Sequence, residues 1–288
     1  MALIQSAASL HDEQEYFLDA LSDSDRAPLS AGHVAVVIAH PDDETIGCGA
    51  QLPRFRGASI IVVTNGAPRK VADARAHGCW SPQDYAALRA EELCQAMSLA
   101  RMPQQNIVNL GIFDQAAARQ LGYLTRSLYC LLSAQRTRIV LTHAYEGGHP
   151  DHDATAFAVH AAAALRRRRG QPLWVIEMPF YRAEGSGWAV QRFPPPGAAP
   201  VTTIRLNQRE RRLKRAMVAA HHSQRQTLAW FTLDAEYFRP ALKIDFLSLP
   251  NNGSLLYERY DWGMTGEQWL ALTKAAQCEL GLGESLWA

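Results

Sequence analysis

Apolar residues fall in short unbroken runs, and a stretch of helical periodicity follows most of them. Runs at 33–39, 59–64, 107–110, 137–144, 173–180 and 201–206 have the length and β-branched content of buried strands. Between them, 10–31 reads as a polar helix and connector. Ser81-Pro82 reads as the N-cap and first position of a helix reaching Arg101, with Leu88, Leu93, Met97 and Ala100 on its buried stripe. Further helices are predicted at 115–134, 153–169, 208–230 and 266–280. Strand alternating with helix implies parallel pairing, with helices on both faces of the sheet. The stretch from Asn65-Gly66 to Gly78 reads as a loop. So does 185–200, which contains Pro194-Pro195-Pro196.

Two of the runs end in chemistry. The first delivers His40-Pro41-Asp42-Asp43-Glu44. The run at 137–144 delivers Tyr145-Glu146-Gly147-Gly148-His149-Pro150-Asp151-His152-Asp153. In an open α/β sheet, ligands bind at the carboxyl ends of the strands. Charged side chains crowded there are costly unless something pairs with them, and a divalent metal is the simplest partner. His40, Asp43 and His152 offer two nitrogens and a carboxylate, a set that suits Zn²⁺ or Fe²⁺. Three protein ligands leave a position open for water, as in catalytic zinc sites. A metal there lowers the pKa of that water and polarises a carbonyl. Asp42 can face the water as a base. His149 can stabilise an oxyanion, oriented by Asp151.

Composition narrows the class. The chain has 288 residues, and 48% are hydrophobic, enough for a large core. A formal net charge of +1 gives no reason to expect nucleic acid as a partner. We see neither a signal peptide nor an apolar stretch long enough to span a bilayer. Five scattered cysteines, with no Cys-x-x-Cys pair, favour reduced thiols and a cytoplasmic location. Cys48 reads as a packed side chain and Arg166–Arg169 as a solvated helix end. His11, His33, His77, His143, His160 and His222 read as ordinary packed or exposed residues. Glu44 reads as a residue that orders its loop.

The His40-Pro41-Asp42-Asp43-Glu44 and Gly148-His149-Pro150-Asp151-His152 pair resembles the PIG-L or LmbE-like family of zinc-dependent N-deacetylases. The resemblance covers about 34–180, and Ala220-His221-His222-Ser223-Gln224 is similar to a further family segment. It implies a Rossmann-like three-layer α/β fold with a mostly parallel sheet and a C-terminal extension. It also implies one deacetylase domain over 1–288, with its core at about 32–180 and substrate-shaping elements at 181–288. By the same resemblance, His40, Asp43 and His152 hold Zn²⁺ (Fe²⁺ or another divalent metal being the alternative). Asp42 is then the general base, and His149 supported by Asp151 is the oxyanion stabiliser. Arg89, Asp114 and Tyr145 match positions that meet the substrate. The expected activity is removal of an N-acetyl or other N-acyl group from an amino-sugar-containing small molecule or glycoconjugate. A non-haem iron enzyme and an inactive sugar-binding module are the rival readings. No Gly-x-Ser-x-Gly elbow or P-loop is present.

Overall fold

The structure is a computed structural model that describes residues 8–193, 199–260 and 262–283. The Pro194-Pro195-Pro196 run lies outside the described residues. The strands are β1 (Val34–Ile38), β2 (Ser59–Pro68), β3 (Ile107–Asp114), β4 (Ile139–His143), β5 (Trp174–Met178), β6 (Tyr181–Glu184), β7 (Gly187–Val190), β8 (Thr202–Arg205) and β9 (Ala235–Pro240). The helices that matter for the site are α1 (Ala8–Ser22), α2 (Asp43–Cys48), α3 (Pro82–Leu99), α4 (Leu121–Ala134), α5 (Pro150–Arg167), α6 (Gln208–Ala220) and α7 (Gly266–Glu279).

Seven strands form one sheet in the order β8-β9-β5-β4-β1-β2-β3. The pairs from β5 through β3 are parallel, and β9 joins β5 antiparallel. The fold is therefore α/β with a mostly parallel sheet, as expected. Every residue of β1 and β4 is buried, which explains why both read as continuous apolar runs. Side chains alternate between the faces. Val34, Val36 and Ile38 pack with Leu93, Met97 and Phe238 on one side. Ala35 and Val37 pack with Leu128, Phe157 and Trp269 on the other.

The chain runs from β1 outward through β2 to β3, then returns to place β4 on the other flank of β1. The direction of winding reverses between β1 and β4, and a crevice opens at such a point beyond the strand ends. Both histidine clusters leave from these two adjacent strands.

Several boundaries differ from expectation. α5 begins at Pro150, because Pro fits the first helical position and His149 caps the helix. α6 ends at Ala220 rather than Trp230, since His221 turns inward. The expected loop after 184 contains a hairpin: β6 pairs with β7 across Gly185-Ser186, with Gly185 at φ 56°. The expected loop before Gly78 contains a short helix, Val71–Ala76, and β9 was not anticipated. Arg166 is buried and donates to Leu132 O and Thr137 O instead of lying on a solvated helix end. Cys48 is fully buried, as expected. Among the described residues, no helix is long and apolar enough to cross a membrane.

Candidate active site

The turn after β1 carries the first half of the site. His40 N donates to Asp43 Oδ2 (2.8 Å), which draws the Asp43 carboxylate back over the strand end. Asp43 then opens α2, and all six residues of that helix are buried. Lys214 holds α2 from below, donating to Ile46 O (2.7 Å) and to Glu236 of β9 (2.6 Å). The second half comes from the start of α5. Asp151 N donates to His149 Nδ1 (3.2 Å), and His152 stands in the first helical turn.

Three donor atoms meet between the halves. His40 Nδ1 lies 3.2 Å from His152 Nε2 and 3.3 Å from Asp43 Oδ2, and His152 Nε2 lies 3.4 Å from Asp43 Oδ1. A tetrahedral zinc site with bonds of about 2.05 Å has ligand-to-ligand edges of about 3.3 Å. The separations match those edges, so the residues fit a small divalent ion. The other side of the His40 ring is backed by carboxylates: Nε2 lies 3.1 Å from Asp114 Oδ1 and 3.4 Å from Asp151 Oδ2. That is the carboxylate support that orients a metal-binding imidazole. Burial opposes charge on His40, but Asp114, with Asp151 and Asp43, outweighs it and holds its pKa well above the usual value.

Asp151 departs from its expected role. Its carboxylate accepts from Gln115 N (2.6 Å) and Ala117 N (3.0 Å) and faces His40, whereas His149 is met by the Asp151 backbone amide. Asp151 therefore positions His40, not His149. Because His149 Nδ1 accepts a hydrogen bond, its ring proton sits on Nε2, 3.9 Å from Asp114 Oδ1. Burial, and then the neighbouring His40 charge, hold the His149 pKa well below the usual value. A neutral Nε2–H donor results.

Asp42 sits at φ 142°, a conformation few residues other than glycine adopt. Its amide donates to Glu44 Oε2 (3.0 Å), and its carboxylate accepts from Arg89 (3.0 Å). Glu44 thus orders the loop, as expected. Burial pushes the Asp42 carboxyl up to about 7 against the pull of Arg89. His221, buried and 3.5 Å from Glu44, closes this side.

The residues expected to meet the substrate are placed differently. Arg89 is buried and donates to Pro41 O (2.6 Å) and Gly66 O (3.2 Å) as well as to Asp42. Asp114 backs His40. The Tyr145 hydroxyl donates to Ser248 O (3.1 Å) and accepts from Trp269 Nε1 (2.6 Å). The Arg89 NH groups, Asp114 Oδ1 and the Tyr145 hydroxyl are thus engaged by protein groups.

Sequence reasoning missed three participants. His143 takes the Ala39 amide on Nε2 (2.9 Å) and stacks on His152 at 4.1 Å. It was legible as the polar end of an apolar run. Tyr181 packs against His152, with ring centroids 5.2 Å apart. The buried Glu146 accepts from Phe180 N (2.6 Å) and Tyr181 N (3.1 Å), tying the histidine loop to β6.

Residues 35–163 match the family model described as PIG-L: GlcNAc-PI de-N-acetylase. A curated relative, the 1D-myo-inositol 2-acetamido-2-deoxy-alpha-D-glucopyranoside deacetylase 2 of Saccharopolyspora erythraea, is 30% identical over 179 residues. That alignment takes in 54% of this chain and 62% of the relative. Among solved structures, the zinc-inhibited form of teicoplanin deacetylase Orf2 superposes with a TM-score of 0.53 at 17% identity, over 72% of this chain and 97% of that one. The N,N'-diacetylchitobiose deacetylase of Pyrococcus horikoshii gives a TM-score of 0.51 at 15% identity, over 84% and 95%. These likenesses show that the chain shares their fold.

Proposed function

We propose that this protein is a metal-dependent amide hydrolase that removes an N-acetyl group from an amino-sugar-containing substrate. The observation that carries the reading is the triangle of His40, Asp43 and His152, with Asp42 next to Asp43 in the chain and the His149 ring centroid 4.6 Å from that of His40. Zinc is the proposed ion. The PIG-L match and the deacetylase relative support an N-acyl amino sugar as the substrate class.

Held by His40, Asp43 and His152, a divalent ion supplies Lewis acidity to a substrate carbonyl and makes water easier to deprotonate. The protein does the rest. Asp42 takes the proton from the attacking water on a carboxylate oxygen and later gives it to the departing amine nitrogen. Arg89 keeps that carboxylate in one orientation. The His149 Nε2–H donates to the oxygen on which negative charge develops. Asp114 and Asp151 hold the His40 ring so that Nδ1 keeps its direction. The five cysteines are all free thiols, which supports a reducing, cytoplasmic setting.

The test is release of acetate from a panel of N-acetylglucosaminides by zinc-loaded protein, with and without chelator. The reading expects acetate that disappears on chelation and returns with zinc. Metal-loaded protein that liberates no acetate from any member of the panel contradicts it.

A further inference from the structure

A run of aromatic rings leaves the candidate active site and reaches open surface. From His152 it passes to Tyr181 and on to Trp188, each step 5.2 Å between ring centroids. From His149 it passes to Trp262 (5.0 Å) and on to Tyr260 (5.4 Å). The branches rejoin at Trp188, which lies 5.5 Å from Tyr260 and 6.5 Å from Trp262. Beyond Trp188, Trp230 stacks on it at 5.5 Å and 18° between planes. Trp230 is 62% exposed and Tyr260 44%. Indole rings at such exposure leave apolar surface in water, and a concentration of them marks a binding surface more often than isolated apolar residues do. Beyond His149 and His152, the proposed chemistry uses none of these rings.

We propose that this platform is a saccharide subsite, and that the substrate is at least a disaccharide whose second pyranose lies on Trp230, Trp188 and Tyr260 while its N-acetyl group meets the ligand triangle. The inference rests on the hydrolase reading and adds the substrate class. Continuity is the first argument: the rings touch His149 and His152, so whatever covers them adjoins the reacting amide. Shape is the second. Trp188 with Trp230, and Tyr260 with Trp262, form nearly parallel pairs at 18° and 22°. Flat surfaces suit a ring better than a flexible chain. Chemistry is the third. Aromatic faces carry negative quadrupole charge and attract C–H groups such as those on one face of a pyranose. Tyr260 accepts from Trp188 Nε1 (3.0 Å) and keeps its own hydroxyl proton to donate to a sugar hydroxyl.

The test reads binding, so it stands whether or not hydrolysis is observed. In an Asp42→Asn background, tryptophan fluorescence is titrated with N-acetylglucosamine, with its β-linked dimer and with 4-nitrophenyl N-acetylglucosaminide. The dimer is expected to bind about tenfold tighter than the monomer, as one stacked aromatic contact allows. Trp230→Ala, with Tyr260→Ala as a second variant, is expected to remove that preference and leave monomer affinity unchanged. Equal affinity for monomer and dimer, or a preference that survives both substitutions, overturns the subsite. Tight binding of the aryl glycoside without tight binding of the dimer also overturns it, and points to a flat aglycone. Absence of acetate release by the zinc-loaded wild-type protein, with the dimer preference intact in the Asp42→Asn background, counts against the hydrolase reading alone.

Discussion

At the scale of single residues, the site is a set of side chains held by partners that leave little freedom. Asp42 combines an unusual φ with a carboxylate pinned by a buried guanidinium. Strain of this kind persists only where the surroundings over-determine it, and it gathers at functional positions. Asp42→Asn is expected to lower kcat by about 10²–10⁴-fold while bound metal, measured by plasma emission, stays at the wild-type level. Near wild-type turnover would remove Asp42 as the base. The triangle of His40, Asp43 and His152 was legible because imidazole and carboxylate at two strand ends have few other uses. The direction of Asp151 was not. It depends on the amides of Gln115 and Ala117, which come to it from β3 through the fold. Glu146 gives a pH prediction. Burial pushes its carboxyl to about 8 from an ordinary 4.5. The folded protein then keeps a proton that the unfolded chain releases, so this group's contribution is complete below about pH 4.5 and fades as pH rises through about 8. Calorimetry should show the wild-type Tm falling between about pH 5 and about pH 8 more steeply than the Tm of Glu146→Gln. Parallel slopes would mean that Glu146 is ionised in the folded state.

At the scale of elements, two strand–turn–helix units set the geometry. In each, a buried strand ends, the backbone turns sharply, and a helix begins inside the site. The turn after β4 is stitched by Asp153, which accepts from Glu146 N (3.3 Å) and Gly147 N (3.1 Å). Gly148 lies so close to β6 that an added Cβ would stand 2.0 Å from Tyr181 O. Gly148→Ala must push the histidine loop off β6, with an expected cost of about 1–3 kcal/mol in denaturant unfolding. An unchanged midpoint would show that the two elements are not in firm contact. Apolar runs made the parallel strands readable. The β6–β7 hairpin was hidden because its residues carry mixed polarity and Gly185-Ser186 resembles ordinary loop sequence. α6 was read too long because His221 interrupts the helix to meet Glu44, a contact 177 positions away in the chain by subtraction.

At the scale of the molecule, strand order explains the site. Residues separated by more than a hundred positions become neighbours because β4 returns to the flank of β1. The sequence carried both halves of the centre, and their meeting followed from the reversal that parallel α/β sheets contain. The aromatic platform was not legible, since Tyr181, Trp188, Trp230, Tyr260 and Trp262 come from distant segments with no shared pattern. The most direct measurement is zinc binding by dialysed protein, followed by calorimetric titration in the wild type and in His40→Ala, Asp43→Asn and His152→Ala, each checked for fold by circular dichroism. The account predicts one tight zinc per chain in the wild type and loss of that binding in all three variants. Wild-type protein that takes up no zinc, or folded variants that bind it as tightly as the wild type, would contradict it.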